Sequence, residues 1–254
     1  MNDSMTLLID IGNTAIKWGF SHPKPIILSG RASYQNSLPE SLILANWQTL
    51  PKPKSVLISN VAKNETGDQI KTLIKKYWNI EPTFIHENQT LEGIKPFITQ
   101  GILGVDRWLG LLALRQTEQQ PFALIGCGTA ITLDVCQKGE HCGGLITPGI
   151  ELMRLALEKH TAGCRLNLAQ NDPDKLLAFD TDGAMRSGTL QMAAAFIETT
   201  LEKIEKDLSL SLKIFITGGD AARLMPRFHH PERFIEMPAL VLNGLALFEK
   251  YITR

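Results

Sequence analysis

Four short segments carry residue types that can do chemistry. In Asp10-Ile11-Gly12-Asn13-Thr14, a glycine-asparagine turn follows an apolar run, with Lys17 three residues further on. A tight turn of this kind gathers backbone N–H groups toward one spot, which cradles a phosphate without a strong positive field. Asp10 closes the apolar run, an expensive place for a carboxylate unless it meets a metal, water or a donor. Mg²⁺ usually takes one or two carboxylates plus phosphates and waters, which suits Asp10; Asp10 and Asn13 can equally be plain turn formers. The second segment, Gly126-Cys127-Gly128-Thr129 leading on to Asp134, repeats the strand–glycine turn–strand grammar, with Thr129 placed to bond a phosphate oxygen or simply to sit in a hairpin. The third, Gly104-Val105-Asp106-Arg107, offers Asp106 either as a helix N-cap or as a general base, with Arg107 as partner for an anion. The fourth, Thr217-Gly218-Gly219-Asp220, lets a flat group such as adenine approach the backbone. Phosphate cradles plus a base are the parts that phosphoryl transfer needs, since positioning and charge neutralisation dominate that reaction.

The elements that must hold these segments fall into two similar series. Thr6 to Ile11 reads as a buried strand, Thr14 to Phe20 as a second, and Pro25 to Leu28 as a third. A helix over 40–50, a strand over 55–60, a helix over 67–78 and a strand over 82–86 follow. Glu87 to Gly101 has no clear period and reads as a working loop. A helix spans 104–115. The second series has strands at 122–125, 129–136 and 144–147, and a helix reaching Thr161. A long helix over 181–208, a strand over 213–217 and a closing helix over 240–251 complete it. Short connections imply antiparallel pairs and helical crossovers imply parallel ones, so each half should hold a mixed sheet flanked by helices. The expected division is 1–117 and 118–254, with a ligand cleft between the halves. Ala184, Gly188 and Ala195 share one face of the long helix, which suits core packing or a close helix–helix contact between subunits.

Composition narrows the class. Among 254 residues, 26 Lys plus Arg balance 26 Asp plus Glu, so no basic field is present to hold nucleic acid. Cys127, Cys136, Cys142 and Cys164 form no C-x-x-C pair and read as free, partly buried thiols. Histidines 22, 86, 141, 160, 229 and 230 form no ligand pattern. The start lacks a basic leader, and no apolar run approaches membrane-spanning length, so a cytoplasmic protein without membrane contact is expected.

Taken in order, the motifs resemble those of the type III pantothenate kinase family of the actin, hexokinase and Hsp70 ATPase superfamily. The residues that carry the resemblance are Asp10 to Lys17, Gly104 to Arg107, Gly128 to Thr132, Gly143 to Gly149, Thr181 to Gly188, Thr217 to Asp220 and Leu240 to Leu245. The resemblance implies an α/β fold of two ribonuclease H-like (actin-like ATPase) halves. It implies ATP-dependent phosphorylation of the primary hydroxyl of pantothenate, the first step toward coenzyme A. Asp106 would be the base; Asp10, Gly12, Asn13, Thr14, Lys17, Gly128, Thr129, Gly218 and Gly219 would bind ATP, with Asp10 serving Mg²⁺ through water or phosphate. Phe97, Gly104, Val105, Asp106, Arg107 and Thr181 would contact pantothenate. A homodimer is implied, in which Thr181 reaches the neighbouring subunit's substrate, together with Mg²⁺ and a monovalent cation, K⁺ or NH₄⁺. Two positions depart from the family's pattern. Gly126 stands where an aspartate usually holds the monovalent cation, and Phe97 where a tyrosine lines the substrate pocket. Two other readings stand beside this one: a catalytically inactive binding or regulatory member, and a kinase of the same superfamily for a sugar or another small alcohol.

Overall fold

The structure, a computed structural model, describes residues 5–34, 37–97, 99, 101, 103–167 and 170–252. Residues 1–4, on which the reading of a leader-free start mostly rests, lie outside the described residues, as do 98 and 100 of the expected working loop. The chain forms two compact units: Met1–Gln119 with Gly139–His141 and Ala239–Arg254, and Gln120–Lys138 with Cys142–Pro238. Beside the expected boundary at 117/118, the last segment belongs with the first unit. Its apolar side chains supply the reason: Leu240, Leu242 and Leu245 are buried, and Gly244 lies against the backbone of Leu109.

In the first unit, β1 (Thr6–Ile11), β2 (Ala15–Phe20), β3 (Leu28–Ser33), β4 (Ser55–Asn60) and β5 (Thr83–Phe84) form one sheet in the order β3-β2-β1-β4-β5. β1–β2 and β2–β3 are antiparallel, whereas β1–β4 and β4–β5 are parallel. Side chains alternate across a strand, and the two faces divide accordingly. Leu7, Ile9, Ile11, Ile16, Trp18, Val56 and Ile58 face a cluster completed by Ile43 and Trp47 of α1 (Glu40–Trp47) and Ile70, Leu73, Ile74 and Trp78 of α2 (Asn64–Trp78). Trp47 stacks on Trp78 at 4.9 Å and meets Trp18 edge-on at 6.3 Å. The opposite face packs α3 (Val105–Thr117) against β4, and α7 (Leu240–Ala246) against β1 and β4.

The second unit repeats this plan. β6 (Phe122–Cys127), β7 (Ala130–Gln137), β8 (Glu140–Pro148), β9 (Lys213–Thr217) and β10 (Phe234–Glu236) are ordered β10-β9-β6-β7-β8. β6–β7 is antiparallel; β6–β9 and β9–β10 are parallel. Ala123, Ile125, Cys127, Ile131, Leu133, Val135, Ile214 and Ile216 build the core with Ile150 and Met153 of α4 (Ile150–His160) and Leu190, Ala193, Ala194, Ile197 and Leu201 of α5 (Thr181–Leu208). The expectation of two mixed sheets flanked by helices is met.

Several elements differ from expectation, β8 among them, which begins at Glu140 and not at 144. The third strand lies at 28–33, after the apolar run at 25–28. Pro25 has no N–H for a ladder, while Gly30 is central because Trp18 lies over it, 2.3 Å from where a Cβ would stand. The closing helix splits into α7 and α8 (Glu249–Ile252), with three-residue bonds such as Phe248 N–H to the Leu245 carbonyl tightening the chain between them. β10 and the short α6 (Ala221–Leu224) were not legible in the pattern. All four cysteines are free; Cys127 and Cys136 are buried, Cys142 is exposed because it lies on the exposed β8. Among the described residues no helix is long and apolar enough to cross a membrane.

Candidate active site

Strand alternation decides which side chains meet Asp10. Leu7, Ile9 and Ile11 take the α1–α2 face, so Asp10 takes the other, with Lys17 directly across in β2 and Ser59 directly across in β4. The same face receives α3, whose first turn carries Asp106. Asp10 is half-buried as a residue, but its Oδ1 is sealed from solvent without a hydrogen bond of normal geometry, and so is the Ser59 hydroxyl oxygen. Burial first, and the Asp106 carboxylate second, push the Asp10 carboxyl up to about 7; Lys17 and the Ser59 hydroxyl pull the other way without prevailing. Two carboxylates that repel in a partly dry site leave one reluctant to ionise alone.

An orphaned, buried carboxylate oxygen is a ready ligand for a hard cation, so Asp10 fits the Mg²⁺ that this fold implies. Among the described residues no group of three or more His, Cys, Asp or Glu side chains is arranged to hold a metal by itself. The ion would therefore rely on Asp10, water and phosphate oxygens.

The turn joining β1 and β2 is closed by the Gly12 N–H to the Ala15 carbonyl at 2.9 Å, leaving Asn13 and Thr14 exposed at its tip. Gly104 is the N-cap of α3, at φ -54 and ψ 136, and Val105 is buried; Asp106 Oδ1 accepts the Arg107 N–H at 2.7 Å. Asp106 is thus inside the helix at its first turn, and the cap position belongs to Gly104, so the N-cap role considered for Asp106 does not hold. Phe97 is buried beside His141, ring centroids 6.2 Å apart. It lines a cavity of about 190 Å³ with Asn88, Thr90, Leu91, Ile94 and Leu112, and Gly104 to Arg107 are not among the lining residues.

In the second unit three glycines stack around the β6–β7 turn. The Gly149 N–H donates to the Thr129 carbonyl at 2.9 Å, and a Cβ at Gly149 would stand 2.1 Å from the Gly128 carbonyl. Gly218, at φ +109, leaves 2.0 Å between a Cβ and the Cys127 carbonyl, which also accepts the Asp220 N–H at 3.2 Å. Only glycine tolerates such approach, so Gly128, Thr129 and Gly218 share one backbone cluster, with Gly219 exposed beside it. Thr181 opens α5, exposed, after the Asp180 cap accepts the Gly183 N–H at 2.8 Å.

Gly126 is the fifth residue of β6, as Asp10 is of β1, and pairs with Thr132 and Thr217 as Asp10 pairs with Lys17 and Ser59. A Cβ at Gly126 would lie 2.6 Å from the Thr132 hydroxyl oxygen. The space a carboxylate would need is filled by threonine, so these residues do not fit a carboxylate-held monovalent cation.

Sequence reasoning did not find Ser59, Tyr34 or the closed ionic ring beside Gly218-Gly219. In that ring Asp172 bonds Arg154 and Arg223 at 2.7 Å each, and Glu151 bonds the same two arginines at 3.1 and 2.9 Å. Ser59, a hydroxyl inside an apolar strand, carried a usable signal; the others are long-range meetings. Ala184 and Gly188 turn out to be exposed, and a Cβ at Gly188 would meet nothing within 4 Å, so these small residues do not pack the core.

Comparison with known proteins agrees with this geometry. A protein of Nitrosococcus oceani named type III pantothenate kinase is 35% identical over 254 residues, covering 97% of this chain and 94% of that protein. Among solved structures, the ethanolamine utilization protein EutJ from Carboxydothermus hydrogenoformans superposes with a TM-score of 0.59 at 12% identity, covering 98% of this chain and 91% of that one. MreB 5 of Spiroplasma citri bound to AMPPNP gives 0.50 at 11% identity, covering 100% and 98%. These likenesses place the fold among the actin-like ATPases. The family described as type III pantothenate kinase matches residues 6–203, and the chain belongs to that family.

Proposed function

We propose that the chain transfers the γ-phosphoryl group of ATP to the primary hydroxyl of pantothenate, giving 4'-phosphopantothenate, the first step toward coenzyme A. The observation that carries this reading is the meeting of Asp10 and Asp106 on one face of the first sheet, beside a glycine turn, in a chain of this family. Asp106 accepts the proton of the attacking hydroxyl and orients it, as a base does late in phosphoryl transfer. Arg107 offers its cation to the substrate's anionic end. Gly12, Asn13, Thr14, Lys17, Gly128, Thr129, Gly218 and Gly219 are the nucleotide contacts of this reading. Phe97, Gly104 and Val105 complete the pantothenate contacts, the phenyl ring packing where no hydroxyl bond is offered, and Thr181 reaches the pantothenate of the second copy. Mg²⁺ held at Asp10 would supply charge neutralisation on the phosphates.

The chain acts in the cytoplasm as a homodimer. Exposed Leu145, Ile146, Leu152, Leu176, Leu177 and Phe179, with Phe179 fully exposed at 103%, support a second copy of the chain as partner of this unit, since apolar groups in such number are seldom left in water. The small residues Ala184 and Gly188 on α5 suit a close helix contact there.

An assay coupling ADP release to NADH oxidation, with Mg²⁺ and ATP, tests the reaction. Pantothenate should trigger ADP release in Na⁺, K⁺ or NH₄⁺ buffers alike. Release triggered by sugars and not by pantothenate, or by nothing at all, would contradict the reading in favour of another kinase or a binding protein.

A further inference from the structure

Tyr34 follows β3 directly and packs at the edge of the first unit's apolar cluster. It grips the β1–β2 turn at two points. Its backbone N–H donates to the Thr14 carbonyl at 2.9 Å, and its hydroxyl donates to the Gly12 carbonyl. Thr66, in the first turn of α2, lies near the phenol oxygen, which also feels the Asp10 charge. Carbonyl oxygens repel an anion, whereas N–H groups attract it. Within a trans peptide the C=O and the following N–H point in opposite directions. Holding the Gly12 carbonyl toward the phenol therefore aims the Asn13 N–H to the opposite side, and the Thr14 carbonyl is likewise kept turned back.

Resting on the reading that this turn receives phosphate, we infer that Tyr34 is a positioning residue. It locks the peptide between Gly12 and Asn13 in the orientation that presents N–H rather than C=O to the nucleotide's phosphates. It touches neither substrate; it acts through the turn.

The test is Tyr34→Phe, titrated calorimetrically with ATP, ADP and adenosine in Mg²⁺ buffer, beside steady-state kinetics. One lost hydrogen bond of ordinary strength weakens ATP and ADP binding about threefold to tenfold. Adenosine affinity stays unchanged. KM for ATP rises in step while KM for pantothenate holds, the pattern of a ground-state contact removed from one substrate only. Adenosine weakened as much as ATP would reduce Tyr34 to general support of the fold and overturn the inference; so would unchanged ATP binding. Should the variant fail to fold, Tyr34→Leu, which keeps an apolar side chain at the edge of the cluster without the hydroxyl, should show the same phosphate-selective loss; its absence there would also overturn the inference. Binding needs no turnover, so a chain that binds ATP in this Tyr34-dependent way but phosphorylates no pantothenate refutes the proposed reaction and leaves the positioning role standing.

Discussion

Replacing Asp10 by asparagine should make the ligand-free protein more stable at pH 8 while harming its chemistry. An ordinary aspartate ionises near 3.8, and Asp10 near 7. The folded state therefore holds a proton that the unfolded chain has released throughout the interval between those values. By linkage, stability falls wherever the folded state binds more protons as pH rises. The Asp10 contribution is complete below pH 3.8, is lost progressively as pH climbs, and levels off above about 7. Each tenfold change in proton affinity is worth about 1.4 kcal/mol, so the ceiling on the loss is about 4 kcal/mol. Asparagine keeps the shape and never ionises. Urea unfolding of the native chain and Asp10→Asn from pH 4 to pH 9, without nucleotide or metal, gives the difference directly. The two should match near pH 4 and diverge to roughly 2–4 kcal/mol in favour of the variant by pH 8. Mg²⁺ with ATP should stabilise the native chain more than the variant, by mass action on the folded state. A difference that does not change with pH, or a native chain more stable than the variant at pH 8, would refute the reasoning.

Asp106→Asn removes the like charge that helps hold Asp10 up, so carbon-detected NMR titration should find Asp10 ionising below its native value; an unchanged titration would separate the two carboxylates. Asp172→Asn breaks a ring around the fully buried Arg154, and leaving a buried charge short of its partner costs roughly 3–5 kcal/mol, measurable by denaturant melts at neutral pH. Burial alone would raise the Asp172 carboxyl, but hydrogen bonds from Arg223 and Arg154 hold it low; its stabilising effect is therefore present above the ordinary aspartate range and fades as pH falls through the lowered value, where the variant and native melts should converge. Gly218→Ala forces a Cβ to 2.0 Å from the Cys127 carbonyl at a positive φ, so it should cost at least about 1–3 kcal/mol from overpacking and weaken nucleotide binding in the same calorimetric titration.

Much of the fold can be read from local pattern because its strands are buried and bounded by glycine turns. β1, β4, β9 and α5 lie where periodicity places them. β3 did not, because its position depends on Trp18 lying over Gly30, a contact between strands that no window of sequence contains. The closing helix looked continuous because its apolar spacing continues through a tightening of the backbone. At the site, Asp10 and Asp106 are visible as carboxylates in costly places. What joins them is register and face: the alternation that buries Ile9 and Ile11 turns Asp10 toward α3. Tyr34 reaches Gly12 across 22 residues, and Arg154 and Arg223 come from α4 and α6 while Asp172 lies in the segment between α4 and α5, so neither grouping leaves a spacing to recognise.

The most direct measurement is mass spectrometry of the product formed from ATP, Mg²⁺ and pantothenate by the native chain and by Asp106→Asn, with ATP binding of both checked by calorimetry. The native chain should yield one 4'-phosphopantothenate per ADP, and the variant should bind ATP but form product on the order of 10²–10⁴ times more slowly. Equal product from both, or none from a native chain that binds ATP, would contradict the assignment of carboxylate 106 to the acceptor hydroxyl of pantothenate.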